Sequence, residues 1–374
     1  MIENNQTVLS GGYAVGEAMR QINPDVMAVY PITPQTPIVE YFAKQVAEGK
    51  ATTEIIPVES EHSAMSACVG ASAAGARTMT ASSSQGVLYM LEVLPIASAL
   101  RLPIVAAIAN RAISGPINIH GDHSDAMLMR DLGWIQVFSE NVQEAYDLTF
   151  LTLKLAEKME LPGAVNLDGF FVSHSLENVE LLSDWQARNF VGRWKKKDHL
   201  LDFENPKTFG GLALPNAYFQ FRQQVFEALE KAGEEFPAVA QSWEELCGRK
   251  YGKIERYRTA DAEKVIVAMG SVCGTIKEVV DRERKKGRKV GLLKITLFRP
   301  FPYVEVGRAL KNVREIVVLD RHLPMGSRPV LLGEIQPTVG RPVRGIIYGL
   351  GGREVFEKQI EDIFSGKFKG DFLN

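Results

Sequence analysis

The chain carries the sequence PIVAAIAN at residues 103–110, an uninterrupted apolar run that ends at Asn110. A short apolar run without alternation is typical of a central strand in a parallel sheet, because helices cover both faces of such a strand. Neighbouring parallel strands need long crossover connections, which are usually helices. The run therefore predicts an α/β fold built on a mostly parallel sheet.

Strands and helices alternate on both sides of this run through residue 175. The predicted strands lie at residues 26–31, 55–59, 78–81, 134–138 and 164–168, and the predicted helices at 37–48, 87–100 and 141–159. Residues 64–76 are rich in Ala, Ser and Gly, so we expect a helix there that packs very closely on its neighbours. This order predicts a doubly wound domain over residues 1–175.

The regular pattern weakens over residues 176–260, which we interpret as a connector with a long helix at 218–246. A second α/β domain is predicted for residues 261–374. It begins with the strand KVIVAMG at 264–270, followed by a helix at 275–286, strands at 290–295, 316–319 and 344–348, and a helix at 354–364. The turn with Gly270, Ser271 and Gly274 resembles a nucleotide-binding turn, but a tight turn without a ligand is the stronger alternative.

The composition excludes several classes of protein. The 374 residues are 45% hydrophobic and 24% charged with a net charge of −2, so nothing indicates nucleic-acid binding or an anionic membrane surface. No apolar run approaches the roughly 20 residues that a membrane span needs. The first residues, MIENNQTVLSGGY, lack the pattern of a signal peptide. We therefore expect a cytoplasmic protein.

The sequence contains three cysteines, Cys68, Cys247 and Cys273, which are far apart and form no CxxC pair. A disulfide framework is not expected, and this chain alone lacks the cysteine pattern that ligates an iron–sulfur cluster.

Polar side chains follow four of the predicted strands of the first domain. These are Thr33, the pair Glu59 and Glu61, the segment SSSQ at residues 82–85, and Arg111. Because ligands of open α/β sheets bind at the carboxyl ends of the strands, we expect these side chains to share one site.

Seven segments together resemble the alpha subunit of the pyruvate:ferredoxin oxidoreductases, within the 2-oxoacid:ferredoxin oxidoreductase family. In order they are YPITPQTP (30–37), VESEHSA (58–64), VGASAAGART (69–78), SSQG (83–86), NRAISGPINIHGDHSD (110–125), RDLGWIQ (130–136) and RPFP (299–302). The resemblance covers most of the chain. It implies a doubly wound domain of the thiamine-diphosphate-binding type, covering the pyrimidine side of the cofactor, and a second domain like the transketolase C-terminal domain.

The resemblance also implies roles for three residues. Glu61 matches the carboxylate that hydrogen-bonds the aminopyrimidine of thiamine diphosphate and so helps the cofactor to lose its thiazolium proton. Glu59 is the nearby alternative, although it falls within the predicted strand. Arg111 and Thr33 match the residues that hold the substrate carboxylate, and a guanidinium suits a carboxylate because both are planar and pair bidentately.

The GDHSD segment at residues 121–125 lies close to Arg111 in the sequence. We interpret Asp122 as the residue that orients Arg111 or the neighbouring backbone. A plain loop is the main alternative, and a metal site is a weaker one because a His and two Asp with no further ligand are sparse.

The sequence has no GDG segment followed by Asn, with which thiamine enzymes usually hold Mg²⁺ and the diphosphate. The resemblance therefore implies a cofactor shared with a thiamine-diphosphate/Mg-binding subunit. It also implies a ferredoxin-like subunit with 4Fe–4S clusters, a gamma-type subunit, and ferredoxin as the electron acceptor.

The function implied is reversible oxidation of pyruvate with coenzyme A to acetyl-CoA and CO₂, in a subunit that is inactive alone. The alternatives are the same chemistry on an aryl, branched-chain or other 2-oxoacid, a non-catalytic scaffold subunit, and a thiamine enzyme that does not use ferredoxin. The threonine at position 33 argues that oxalate is not the substrate, because relatives specific for oxalate carry arginine at that position of the YPITP segment.

Overall fold

The computed structural model describes residues 5–373 and arranges their strands in two large sheets and one strand pair. The strands are β1 (Asn5–Ser10), β2 (Val26–Val29), β3 (Glu54–Pro57), β4 (Thr78–Ser82), β5 (Val105–Asn110), β6 (Ile135–Phe138), β7 (Gly163–Asp168), β8 (Leu176–Leu181), β9 (Ile254–Tyr257), β10 (Lys264–Ala268), β11 (Val290–Ile295), β12 (Leu297–Arg299), β13 (Glu315–Asp320), β14 (Arg344–Tyr348) and β15 (Phe372–Leu373).

The helices of the described residues connect these strands and cover the sheets. They are α1 (Gly11–Ile22), α2 (Thr36–Ala47), α3 (Glu61–Ala73), α4 (Ser84–Met90), α5 (Leu94–Ala99), α6 (Ser124–Leu128), α7 (Val142–Met159), α8 (Asp184–Val191), α9 (Pro215–Cys247), α10 (Val272–Lys285), α11 (Tyr303–Leu310), α12 (Val330–Val339) and α13 (Glu357–Phe364). No helix in the described part of the chain is both long enough and apolar enough to cross a bilayer.

The first sheet has the strand order β12-β6-β7-β5-β4-β2-β3. All neighbours are parallel except β12, which runs antiparallel to β6. The apolar run that predicted the fold is β5, which lies between β7 and β4 with every residue buried. The α/β prediction and the central position of this strand are therefore confirmed.

One predicted helix is wrong. Residues 87–100 form two helices, α4 and α5, which are separated by a turn. Pro95 lies in the first turn of α5. Proline has no N–H to donate and its ring clashes with the preceding turn, so it is disfavoured inside a helix and favoured in the first turn, where it lies in α5.

The second sheet has the order β15-β14-β13-β10-β11-β9, and its strands are parallel except β9. The connector does not stand apart from the first sheet, because Val179, Phe190 and Trp243 pack in the same core cluster as the helices on that sheet. β12 comes from the C-terminal part of the chain and extends the first sheet. The domain boundaries at residues 175 and 260 stay a prediction.

A buried carboxylate at the end of β7 connects the two sheets. Asp168 accepts hydrogen bonds from His123 Nε2 (2.7 Å), Arg321 Nη1 (2.7 Å) and the Ser271 backbone N–H (2.9 Å). Burial alone would raise the pKa of Asp168, but Arg321 and His123 hold it well below its ordinary value. The turn at Gly270, which resembles a nucleotide turn in sequence, packs against this carboxylate, since a Cβ there would lie 2.9 Å from Asp168 Oδ2.

A second set of charges also joins the two sheets. Lys294 of β11 is buried, and its Nζ contacts Glu140 (2.7 Å), Glu144 and Glu255 (2.9 Å). Lys277 of α10 shares Glu140 and Glu255 with it. Burial lowers the pKa of Lys294, but the surrounding carboxylates raise it above its ordinary value, so the ammonium stays charged.

Replacing Lys294 with Met should lower the free energy of unfolding by about 3–5 kcal/mol, because the buried Glu144 loses its cation, whereas Lys277 still pairs with Glu140 and Glu255. Urea unfolding of the purified protein at neutral pH measures this difference. The exposed Lys285, at the end of α10, provides the control Lys285→Met. Equal stability of the two variants would contradict a structural role for the cluster.

Candidate functional site

The carboxyl end of the first sheet brings the candidate residues to one edge. The chain steps from β2 to β3 on one side, then returns to form β4 on the other side of β2. Such a reversal of strand order opens a crevice above the neighbouring strands. Thr33 follows β2, Glu61 follows β3, residues 82–86 end β4 and begin α4, and Arg111 follows β5.

Asp125 ties two of these segments together. Its Oδ2 accepts hydrogen bonds from the backbone N–H groups of Ser84 and Arg111, each at 2.9 Å. Its Oδ1 accepts from Asn110 Nδ2 (3.0 Å) and Ala126 N–H (2.7 Å). Burial raises the pKa of Asp125 to about 6, although these four donors favour the ionised form. The carboxylate therefore fixes the backbone where β5 passes into the following loop.

The Arg111 guanidinium lies between two backbone carbonyls. Its Nη1 donates to Thr33 O at 2.9 Å, and its Nε donates to Asn118 O at 3.0 Å. The structure thus brings together Arg111 and Thr33, as predicted from their positions after adjacent parts of the sheet. Thr33 is exposed, and the contact uses its main-chain carbonyl rather than its side chain.

Arg111 has no acidic partner among residues 5–373 within ion-pair distance, although only 7% of the residue is exposed. Burial lowers the pKa of the guanidinium, and the more distant Asp125 partly offsets this effect. A buried cation without a counter-ion is unfavourable unless an anion binds there. The site is therefore suited to a small carboxylate.

Glu61 is the first residue of α3, and Ser60 caps that helix by accepting a hydrogen bond from Ser63 N–H. Only 7% of Glu61 is exposed, and burial raises the pKa of its carboxyl group. Within the described residues, no hydrogen bond joins Glu61 to Arg111 or Thr33, so the edge of the sheet holds two separate polar centres.

Glu59, the alternative to Glu61, lies on the surface. Its carboxylate accepts a hydrogen bond from the Ser63 hydroxyl, which lowers the pKa of Glu59. The two acids therefore differ in their environment: Glu59 is solvated and paired with α3, whereas Glu61 faces the interior.

Of the two roles predicted for Asp122, orienting Arg111 or orienting the neighbouring backbone, the structure supports the second. Asp122 accepts hydrogen bonds from the backbone N–H groups of Ser124 (2.9 Å) and Gly351 (3.3 Å), so it orients neighbouring backbone but not Arg111. Asp125, which was not singled out, is the residue that holds Arg111. The only sequence feature that points to Asp125 is an acidic residue in the first turn of a helix, and the helix α6 is too short to be recognised from the sequence.

Two family models match the chain. One, described as the thiamine-diphosphate-binding domain of pyruvate flavodoxin/ferredoxin oxidoreductase, matches residues 17–241. The chain belongs to this family. The other, described as core domain II of pyruvate:ferredoxin oxidoreductase, matches residues 262–360. The resemblance seen in the sequence motifs, and with it the oxidoreductase class, is confirmed.

Relatives in this family carry different substrate names. The chain is 51% identical to a pyruvate synthase subunit PorA of Thermotoga maritima, over 98% of this chain and 96% of the relative. It is 41% identical to a ketoisovalerate oxidoreductase subunit VorA of Pyrococcus horikoshii, over 95% of this chain and 92% of the relative.

Among solved structures, the fold is similar to a 2-oxoglutarate:ferredoxin oxidoreductase of Magnetococcus marinus, with a TM-score of 0.79 at 19% identity. The match covers 97% of this chain and 65% of that one. At this identity the likeness concerns the fold alone, and it confirms the predicted thiamine-diphosphate type of α/β architecture.

The residues around Glu61 fit the pyrimidine half of thiamine diphosphate. The Glu61 carboxylate lies in a largely dry setting, and the buried Ser82 Oγ has no hydrogen-bond partner among the described residues. Gly86 borders both groups, because a Cβ there would lie 2.6 Å from Glu61 Oε1 and closer still to Ser82 Oγ. A carboxylate, an unpaired hydroxyl and a position without a side chain are compatible with a flat polar ring.

Replacing Gly86 with Ala should therefore weaken thiamine diphosphate binding about tenfold or more, since overpacking costs about 1–3 kcal/mol and about 1.4 kcal/mol is a tenfold change. Titration of the cofactor into the assembled complex measures the effect. Gly70→Ala is the matched control, because Gly70 is an exposed helical glycine with no atom within 4 Å of its added methyl group. An unchanged affinity for the Gly86 variant would contradict the assignment.

Proposed function

We propose that this chain is the alpha-type subunit of a cytoplasmic pyruvate:ferredoxin oxidoreductase complex. The complex converts pyruvate and coenzyme A to acetyl-CoA, CO₂ and a proton, and passes two electrons to ferredoxin, in a reversible reaction. This chain contributes the pyrimidine side of the cofactor site through Glu61 and the substrate-carboxylate site through Arg111 and Thr33. It is inactive without its partner chains.

The observation that carries the proposal is the buried guanidinium of Arg111, which has no carboxylate partner in the described part of the chain. Two carbonyls accept hydrogen bonds from Nη1 and Nε, and these neutral acceptors leave the guanidinium without a directly paired anion among the described residues. A bound 2-oxoacid supplies the missing negative charge and acceptor atoms. The Thr33 hydroxyl, next to the carbonyl that receives Arg111, adds a directional hydrogen bond to the same carboxylate.

Glu61 serves the cofactor rather than the substrate. Its burial favours sharing a proton with a ring nitrogen, because an isolated charge at this position is disfavoured. When bound, thiamine diphosphate supplies the carbon nucleophile and accepts the electrons released as CO₂ leaves. The chain's own part is to hold the pyrimidine, orient the substrate carboxylate and limit access of water.

The remaining parts of the reaction come from other subunits. The sequence has no GDG segment, and its three cysteines are widely separated. We therefore assign Mg²⁺ and the diphosphate to a thiamine-diphosphate/Mg-binding subunit, and the 4Fe–4S clusters to a ferredoxin-like subunit. A gamma-type subunit completes the complex.

Pyruvate is the first choice of substrate because the most similar relatives reported above include a pyruvate synthase subunit at 51% identity. A branched-chain 2-oxoacid is the second candidate. The relative named ketoisovalerate oxidoreductase subunit is 41% identical over nearly the same length, so the fold and motifs are compatible with a larger side chain.

The test uses the intact complex, purified anaerobically, and follows reduction of a viologen dye with coenzyme A and each of several 2-oxoacids. Pyruvate should give the highest kcat/KM, and activity should require coenzyme A. Glu61→Gln should lower kcat at least 100-fold, since general acid–base contributions are about 10²–10⁴. Glu59→Gln, a change two residues away on the surface, should retain activity.

The outcomes separate the alternatives. A preference for ketoisovalerate would support the same reaction with a branched-chain 2-oxoacid, instead of pyruvate, as the substrate. Full activity of the Glu61 variant would indicate a scaffold subunit, and loss of activity in the Glu59 variant alone would move the cofactor contact to that acid.

Replacing Arg111 with Gln should raise the KM for pyruvate about 100-fold, because truncating a buried charged partner costs about 2–5 kcal/mol. The KM for coenzyme A and the affinity for thiamine diphosphate should stay unchanged. Initial-rate kinetics of the assembled complex measure all three quantities. An unaltered KM for pyruvate would rule out Arg111 as the carboxylate site.

A further inference from the structure

A four-residue turn in the second half of the chain, with the sequence GLGG, packs against the loop that carries Arg111. We call residues 349–352 the glycine turn and residues 111–125 the arginine loop. Gly352 N–H donates to Gly121 O at 2.8 Å, Gly351 N–H donates to Asp122 Oδ2 at 3.3 Å, and Asn118 Nδ2 donates to Gly351 O at 3.0 Å. Three hydrogen bonds thus connect the two segments.

Asn118 links the glycine turn to the guanidinium. Its main-chain carbonyl accepts the hydrogen bond from Arg111 Nε, and its side chain binds Gly351 O. The Asn118 Oδ1 also accepts from His120 N–H at 2.7 Å, which fixes the local bend of the arginine loop. The carbonyl that positions Arg111 is therefore held through a side chain that reaches into the other half of the chain.

The contact requires glycine. Gly351 and Gly352 have φ values of 58° and 81°, in the left-handed region that residues with a Cβ disfavour. A Cβ on Gly351 would overlap Asn118 Nδ2, and one on Gly352 would overlap the Cβ of His120. The positive φ values and the close packing against Asn118 and His120 therefore both require glycine at residues 351 and 352.

The glycine turn is itself fixed to the buried ion pair between the sheets. Gly349 O accepts a hydrogen bond from Arg321 Nε at 3.2 Å, and Arg321 Nη1 binds Asp168 at 2.7 Å. The path from Asp168 to Arg111 therefore runs through Arg321, the glycine turn and Asn118.

We propose that Asn118 and the glycine turn are positioning elements that set the orientation of the Arg111 guanidinium and thereby the affinity for the 2-oxoacid. The proposal rests on the function proposed above for Arg111. Two carbonyls, Thr33 O and Asn118 O, define the plane of the guanidinium. A bidentate pair with a carboxylate depends on that plane, so displacement of Asn118 O weakens substrate binding without removing the charge.

The direct test compares Gly351→Ala with Gly340→Ala in the assembled complex. Gly340 is a matched control because its φ is 64°, yet no atom lies within 4 Å of an added methyl group. Gly351→Ala should raise the KM for pyruvate about tenfold, equivalent to about 1.4 kcal/mol, with kcat within about twofold. Gly340→Ala should leave both constants unchanged, and thiamine diphosphate affinity should be the same in both variants.

Asn118→Ala provides a second, milder variant. It removes the side-chain bonds to Gly351 and His120 but adds no atom, and it should also raise the KM for pyruvate several-fold, with little change in kcat. This variant decides the matter if the Gly351 variant does not assemble. A wild-type KM for Asn118→Ala, or equal KM values for the two glycine variants, would overturn the proposal.

The Arg111→Gln variant distinguishes the proposed carboxylate site from the proposed positioning role of Asn118 and the glycine turn. A raised KM in Arg111→Gln together with a wild-type KM in Asn118→Ala overturns only the positioning role. A wild-type KM in Arg111→Gln overturns the proposed carboxylate site and, with it, the positioning role. A raised KM in Asn118→Ala that is accompanied by equal losses of kcat and cofactor affinity would show general disruption and also overturn it.

Discussion

The architecture depends on the buried carboxylate of Asp168. A carboxylate at the end of a central strand, away from water, is strongly unfavourable unless donors surround it. Here Arg321 and Ser271 come from the second half of the chain and His123 from the arginine loop, so satisfying one charge brings three segments together. The position of the glycine turn against the arginine loop follows from this arrangement.

Arg111 presents the opposite case. Its backbone is tightly held by Asp125, yet its guanidinium receives only neutral carbonyl acceptors from the described residues. The Asp168 carboxylate has ion-pair partners, whereas the Arg111 guanidinium has none among the described residues, and this difference fits two different roles. The first stabilises the fold, whereas the second leaves binding energy for a ligand that brings its own negative charge.

Asp125 shows how a loop residue serves a site without touching the ligand. Its carboxylate accepts hydrogen bonds from the backbone N–H groups of Ser84, at the start of α4, and Arg111, just after β5, which have 26 residues between them. These donors would otherwise lie unpaired at the carboxyl end of the sheet. The same interaction therefore satisfies the backbone and sets the spacing between the Gly86 region and the arginine.

The sequence by itself determined the parallel sheet, the order of most helices and strands, and the edge of the sheet at which Thr33, Glu61 and Arg111 lie. Local patterns are sufficient for this, because an apolar run such as β5 and the polar residues after each strand report burial along the chain. The break between α4 and α5 has a local cause, because Pro95 lies in the first turn of α5. Only the tertiary structure decided that β12 joins the first sheet and that Asp125 rather than Asp122 holds Arg111. Each of these depends on contacts between residues distant in sequence, and no local pattern records which buried donor meets which acceptor.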